Sequence, residues 1–145
     1  MARLRLAVRA AILREGRLLL VNAYPGAQSD LWGLPGGGVE PGASLPDNLI
    51  REVSEETGYE IEVGAPALVN EFHDPASGYH QVDVIFRATL TGGNERLIDP
   101  AGVVNRLCWV TRAELAGLRH KPDRLAAAVW GDAAALYDPL EVIVR

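Results

Sequence analysis

The sequence predicts a single α/β domain in which a few helices pack against a mixed β-sheet. Most apolar segments are short and alternate with polar residues at a period of two, which is typical of strands. One well-signalled helix lies mid-chain and two shorter helical patterns follow near its end, an order that favours a layered structure. The chain has 145 residues, a length at which one domain buries about 68–70% of the surface that its unfolded chain exposes. We therefore expect residues 1–145 to form one domain.

Composition and charge narrow the functional classes. The chain is 48% apolar and 23% charged, with a net charge of −5. This balance argues against non-specific nucleic-acid binding, because that needs a basic face. No apolar run approaches the ~20 residues that a membrane span requires. The one cysteine, Cys108, can form no intramolecular disulfide, so we expect a cytoplasmic protein with a buried thiol.

A β-hairpin is predicted over residues 3–23, with Glu15 and Gly16 in its turn. The segment before Glu15 lacks acidic residues, as transit peptides do, but its period of two favours a strand. Arg3, Arg5 and Arg9 share one face of this strand. They could reach an anionic substrate, although an exposed charged face is the favoured interpretation.

A helix is predicted over residues 45–57, directly after a loop rich in Gly and Pro at residues 24–43. Ser44 and Asp47 approximate a capping box, which marks the start of a helix. Gly58 suits the left-handed position just beyond the end of a helix.

Strands are predicted on both sides of residue 75. The segments YEIEV and ALVNEF are expected to be two short strands, and residues 79–90 a longer one. The even-numbered residues of the longer strand, from His80 to Leu90, are expected to form the inner face of a half-buried sheet. After a polar loop at residues 91–102, VNRLCWV is expected to be a strand with Trp109 in the core.

Two helices and a tail complete the prediction. Thr111 and Glu114 form a second capping box at the start of the helix RAELAGL. Pro122 is expected to start a third helix, over residues 122–136. The tail LEVIVR could be an edge strand or a dimer contact.

Three glutamates of the first helix form an unusual cluster. At 100° per residue, Glu52, Glu55 and Glu56 lie beside the apolar stripe of that helix. Carboxylates at such a partly buried edge repel one another and lose hydration, so they should protonate or hold cations. Hard oxygen ligands suit Mg²⁺ or Mn²⁺, which commonly bridge to substrate phosphates.

Residues 37–59, GGVEPGASLPDNLIREVSEETGY, resemble the Nudix box. The positions that match are Gly37, Arg51, Glu52, Val53, Glu55, Glu56, Gly58 and Tyr59. The hairpin before this segment and the strands after it also follow the order of a Nudix domain. The resemblance implies a Nudix-like α/β/α sandwich with a mixed β-sheet.

The resemblance also implies an activity and a set of site residues. Nudix proteins typically hydrolyse a nucleoside diphosphate linked to another moiety, with water attacking a phosphorus atom. By this likeness, Glu52, Glu55 and Glu56 bind Mg²⁺ or Mn²⁺ together with the Gly36 carbonyl. Arg51 orients the glutamates, and Glu52 is the first candidate for general base.

Two departures from the family pattern open an alternative. The upstream glutamate of the box is Ala43 here, which removes a carboxylate partner of Arg51. A further acid is expected before the strand that contains Trp109, where residues 103–106 are not acidic. The candidates to replace it are Glu95 or Asp99, and then Asp74 or Glu71. The alternative is a catalytically weak or inactive nucleotide-binding domain with a regulatory role.

The substrate is less well defined by the sequence. In the family, a proline about sixteen residues beyond the box is associated with ADP-ribose hydrolysis, and Pro75 has this spacing. ADP-ribose or a nucleoside-diphosphate sugar is slightly favoured over nucleoside triphosphates and dinucleoside polyphosphates. Packing is favoured over base stacking for Trp32, and a structural role is favoured for His73 and His80. The resemblance and the apolar tail favour a homodimer.

Overall fold

The computed structural model describes residues 4–97, 99–132 and 134–145. The strands are β1 (Leu4–Arg14), β2 (Arg17–Asn22), β3 (Trp32–Gly33), β4 (Gly36–Gly38), β5 (Tyr59–Asp74), β6 (Tyr79–Gly93), β7 (Leu107–Val110) and β8 (Leu136–Val142). The helices are α1 (Leu45–Thr57), α2 (Arg112–Ala116) and α3 (Leu125–Trp130). No helix among these described residues is both long and apolar enough to cross a bilayer.

One mixed sheet organises the fold. Its strand order is β3-β2-β1-β6-β5-β8, with β4 paired to β1 and β7 paired to β2. The pairs β1–β6 and β5–β8 are parallel, and the others are antiparallel. The tail therefore supplies an edge strand, which was one of its two predicted roles.

Helices cover both faces of the sheet. Leu49 and Val53 of α1 pack with Val8, Ala10 and Ile12 of β1 on one face. On the other face, α2 and α3 pack against residues that include Ala11, Leu18 and Ile85. The alternation along β1 separates these two cores, as expected for a strand buried on both sides. The predicted α/β/α sandwich is confirmed.

Local turn and capping chemistry follows the predictions closely. Glu15 and Gly16 have φ of 51° and 76°, the left-handed pair that a two-residue hairpin turn requires. The Ser44 side chain accepts a hydrogen bond from the Asp47 N–H, and Gly58 ends α1 in the left-handed region. The capping box of Thr111 and Glu114 is complete.

Several element bounds were predicted wrongly. The strand VNRLCWV begins only at Leu107, the helix RAELAGL ends at Ala116, and β6 extends to Gly93. The two short strands are one strand, β5, because a shift in register between Val63 and Pro66 bends the ladder without ending it. The third helix does not span residues 122–136. It begins at Leu125 and ends at Trp130, since Gly131 takes an extended conformation, while Leu136 opens β8.

The prediction that β6 is half-buried was also wrong. Gln81, Asp83 and Ile85 of its supposedly exposed face are all at most 7% exposed. These side chains lie on the face of the sheet opposite α1, where they line the cavity described next.

Candidate active site

The three glycines of β4 bring acids of α1 into a cavity on the opposite side of the sheet. Helix α1 packs on one face, while the cavity is lined by Arg9, Asp83 and Ile85 of the other face. Glu52 and Glu56 nevertheless line this cavity, because the glycine strand carries no side chains to block them.

Glu56 is fixed by the backbone of β4. Its carboxylate accepts a hydrogen bond of 2.8 Å from the Gly36 N–H, and its side chain is buried. Burial raises the pKa of Glu56 to about 8, against the opposing effects of Arg9 and of the Gly36 hydrogen bond. A carboxyl group in this position lacks full charge compensation from the protein.

Glu52 lies over the next glycine of the same strand. A Cβ added to Gly37 would be 2.6 Å from the Glu52 carboxylate, so the absence of a side chain there makes room for the acid. Burial raises the pKa of Glu52, while the charge of Arg51 acts in the opposite direction. Two partly uncompensated carboxylates therefore meet at β4.

Glu55 does not join the other two glutamates. Its carboxylate lies 3.5 Å from Arg51, on the more exposed side of α1, and neither residue lines the cavity. Of the predicted site residues, the fold brings together three around the cavity: Gly36, Glu52 and Glu56.

Arg51 has acceptors despite the alanine at position 43. Its guanidinium lies 3.2 Å from a Glu52 oxygen and 3.9 Å from a Glu40 oxygen. It also donates a 3.1 Å hydrogen bond to the Asn48 side chain. Ala43 offers Arg51 no carboxylate, as expected, but Glu40 lies within reach of the guanidinium.

The cavity has a volume of about 680 Å³. Its lining includes the glycines of β4, the two glutamates and three arginines. It also includes apolar and aromatic side chains, which are Tyr24, Leu31, Trp32, Phe72, Ile143 and Val144. A cavity of this size is in the range of small-molecule sites, and its lining offers both charged and aromatic groups to a ligand.

The four candidates for the missing acid are placed differently by the fold. Asp99 lines the cavity, and its charge contributes to the raised pKa of Glu56. Its carboxylate is held by the backbone N–H groups of Ala101, Val103 and Val104. Asp74 lies on the cavity wall, whereas Glu95 and Glu71 do not line the cavity.

Arg5 and Arg9 line the cavity, so both could reach an anionic substrate there. Arg5 is exposed, as the favoured prediction states, whereas Arg9 is half-buried beside Asp83; Arg3 lies outside the described residues. Two buried polar residues of the cavity were missed by the sequence analysis. In the sequence, Gln81 and Asp83 have the pattern of solvent-facing residues, because they alternate with valines. The one sequence feature that could have indicated their burial is the run of arginines on β1, the strand that pairs in parallel with β6.

The aromatic and histidine candidates have mostly structural contacts. Trp32 packs against the core, lines the cavity and lies under the Arg106 guanidinium at 5.6 Å. Trp109 packs on the core beside Tyr59, as predicted. His73 and His80 pair with each other across β5 and β6 and do not line the cavity.

The donor chemistry of the site fits a hard divalent cation. Two glutamates with raised pKa converge on a glycine strand that has no Cβ atoms to obstruct a ligand. Among the described residues, however, no three acidic, histidine or cysteine side chains already surround one point. Glu55 would have to leave Arg51 to complete the set.

Fold and site together define the class of this protein. It is an α/β/α domain in which a glycine strand and two glutamates of the following helix share one cavity. The family profile of the NUDIX domain matches residues 3–130. The chain belongs to this family, whose members generally use divalent metal ions.

Known proteins similar to the chain differ in their substrates. A CTP pyrophosphohydrolase from Escherichia coli is 48% identical over 60 residues, covering 39% of this chain and 43% of the relative. An ADP-ribose pyrophosphatase from Methanocaldococcus jannaschii is 28% identical over 95 residues, covering 66% and 56%. Across five curated relatives, the match spans only 40% to 64% of the relative's length.

Solved structures show the same fold. A MutT NUDIX hydrolase from Burkholderia pseudomallei is 27% identical, with a TM-score of 0.70 over 90% of this chain and 99% of that one.

Proposed function

We propose that the protein is a Mg²⁺- or Mn²⁺-dependent pyrophosphohydrolase that cleaves a nucleoside diphosphate linked to another moiety. The observation that carries this proposal is the meeting of Glu52 and Glu56 at the glycines of β4, inside the cavity. Membership of the NUDIX family supports the same reaction class.

In this proposal, Gly36, Glu52, Glu55 and Glu56 hold the metal ion. When bound, the ion neutralises the pyrophosphate and lowers the pKa of a coordinated water. Glu52 takes a proton from the attacking water as its oxygen bonds to phosphorus, and the bridging P–O bond breaks with its electrons on the leaving phosphate. Arg51 holds Glu52 in place through the contact of 3.2 Å.

ADP-ribose or a nucleoside-diphosphate sugar is the substrate class that we favour. Pro75 lies in the turn between β5 and β6, and its neighbours Asp74 and Ser77 line the cavity. The aromatic side chains of Tyr24 and Trp32 in the cavity wall suit a nucleobase. Nucleoside triphosphates and dinucleoside polyphosphates are the competing classes.

A hydrolysis screen tests the proposal. The protein is incubated with ADP-ribose, UDP-glucose, nucleoside triphosphates and diadenosine polyphosphates, with Mg²⁺, with Mn²⁺ or with EDTA, and the products are separated by ion exchange. We expect metal-dependent release of a nucleoside monophosphate, which falls by about a hundredfold or more in Glu52→Gln. Glu62→Gln, an exposed glutamate outside the cavity, is the matched control.

The same screen separates the enzyme from the non-catalytic alternative. Absence of turnover on every substrate, with nucleotide binding retained, would support a regulatory nucleotide-binding domain. Turnover that survives Glu55→Gln together with Glu56→Gln would disprove the metal assignment. Asp99→Asn should lower the rate and Glu95→Gln should leave it unchanged, since Asp99 lines the cavity and Glu95 does not.

Two further proposals concern the setting of the protein. A cytoplasmic location fits a chain whose one cysteine, Cys108, is partly buried. A homodimer fits the apolar side chains that β8 exposes, which are Tyr137, Leu140 and Val142. Cell fractionation would test the location, and sedimentation of the purified protein would test the homodimer.

A further inference from the structure

Arg5 differs from the other cations of the cavity wall in having no acidic partner. The cavity is lined by four cations: Arg5, Arg9, Lys121 and Arg145. The last three each have a carboxylate within 4.0 Å: Asp83 at 3.7 Å, Glu141 at 3.0 Å and Asp74 at 3.8 Å, respectively. Within the described part of the chain, Arg5 has no carboxylate at that distance. Its positive charge therefore remains available to an anion.

Neutral groups hold the Arg5 guanidinium in place. Its Nη1 atom donates hydrogen bonds to Gln81 Oε1 at 2.5 Å and to the Tyr79 hydroxyl at 3.2 Å. Gln81 is itself oriented because its amide nitrogen donates to Asp83 at 2.6 Å. The amide oxygen of Gln81 is therefore directed at Arg5. This network positions the guanidinium without cancelling its charge.

The guanidinium occupies the space beside Gly38. A Cβ added to Gly38 would be 2.9 Å from Nη2 and 3.3 Å from Nε of Arg5. Gly36 of β4 thus contacts Glu56, Gly37 contacts Glu52, and Gly38 contacts Arg5. Gly38 lies two residues from Gly36, which is about 7 Å along a strand. Arg5 and the two glutamates thus lie along one short glycine strand, close enough to contact the same small ligand.

We propose that Arg5 binds a substrate phosphate next to the one attacked at Glu52 and Glu56. Gly38 leaves room for it to do so. A guanidinium offers paired N–H donors that match phosphate oxygens. This inference rests on the proposed function, because it takes a nucleoside diphosphate derivative as the ligand. It adds Arg5 as a substrate-binding residue and Gly38 as the position that admits it.

Binding of ADP in the presence of Mg²⁺ tests the role of Arg5. Calorimetry would compare the wild type with Arg5→Ala, Arg5→Lys and, as a control, Arg17→Ala, an exposed arginine outside the cavity. We expect Arg5→Ala to weaken ADP binding on the order of tenfold, as for the loss of charged hydrogen bonds. Its melting temperature should stay unchanged and its salt dependence should become shallower. Arg5→Lys should recover part of the affinity.

A double-mutant cycle tests the role of Gly38. In Gly38→Ala, the new Cβ should displace the flexible guanidinium and weaken ADP binding by a similar factor. The double variant Arg5→Ala with Gly38→Ala should bind no more weakly than either single variant. If the affinity losses of the two single variants instead multiply in the double variant, Gly38 acts independently of Arg5. That result would overturn this part of the proposal.

The outcomes also separate this inference from the proposed function. If the wild type binds ADP and Arg5→Ala binds it equally well, Arg5 is not a phosphate ligand, although the proposed function stands. If the wild type neither binds ADP nor turns over any substrate in the screen, the proposed function fails and the inference fails with it.

Discussion

Glu52 lies so close to Gly37 that a Cβ at position 37 would be 2.6 Å from its carboxyl carbon. Gly37→Ala should therefore push this carboxylate out of the cavity while leaving the backbone intact. We expect the affinity for Mn²⁺, measured by calorimetry, to fall about tenfold or more. Gly117→Ala is a suitable control, because its Cβ would make only an ordinary contact at 3.6 Å. Unchanged Mn²⁺ affinity in Gly37→Ala would remove Glu52 from the metal ligands.

The neighbouring glycine should behave differently. Gly36 has φ of +152°, and a Cβ there would lie 1.9 Å from the Val8 carbonyl oxygen. That contact involves backbone of β1, which cannot move aside as a side chain can. Gly36→Ala should lower the free energy of unfolding by about 3 kcal/mol, measured by urea denaturation. Stability equal to that of Gly37→Ala would contradict this distinction.

The two glycines illustrate which features of the site the sequence could predict and which it could not. The box residues could be identified in sequence, and the bounds of α1 were predicted correctly because capping signals are local. Which side chain contacts which glycine depends on the pairing of β4 with β1. That pairing joins segments distant in the chain, so no local pattern reports it.

Polar residues of the cavity were missed for a related reason. Gln81 and Asp83 alternate with apolar neighbours, which is the pattern of a half-solvated strand. They are buried because they form hydrogen bonds and ion pairs with Arg5 and Arg9 of the adjacent strand. Periodicity distinguishes two faces of a strand, but it does not distinguish a solvated face from a polar cavity.

Asn48 is a second buried polar residue with a structural role. It is 1% exposed, and its amide nitrogen donates to the Ala43 and Ser44 carbonyls at 3.2 and 2.9 Å. Asn48→Ala would leave these groups without their partner, so we expect a loss of about 1–3 kcal/mol in unfolding free energy. Thermal denaturation of the purified variant would measure it.

A companion variant addresses the alanine of the box. Because Arg51 already contacts Asn48 and Glu40, Ala43→Glu should change stability by less than about 0.5 kcal/mol, as for an exposed ion pair. A much larger gain would restore the view that Arg51 lacks a partner in this chain.

Glu114 should make stability depend on pH in the acidic range. Hydrogen bonds from Thr111, with a smaller effect of Arg17, lower the pKa of Glu114 below its usual value of 4.5. A group whose folded pKa is lowered contributes stability that is present above its unfolded pKa and lost as the pH falls through its folded pKa. Glu114→Gln should therefore be less stable than the wild type at pH 7, and the difference should shrink as the pH falls below 4.5. Urea unfolding from pH 7 to pH 3 would measure it, with Glu62→Gln as the exposed control. A difference that stays constant over this range would show that the charge of Glu114 contributes nothing to the cap.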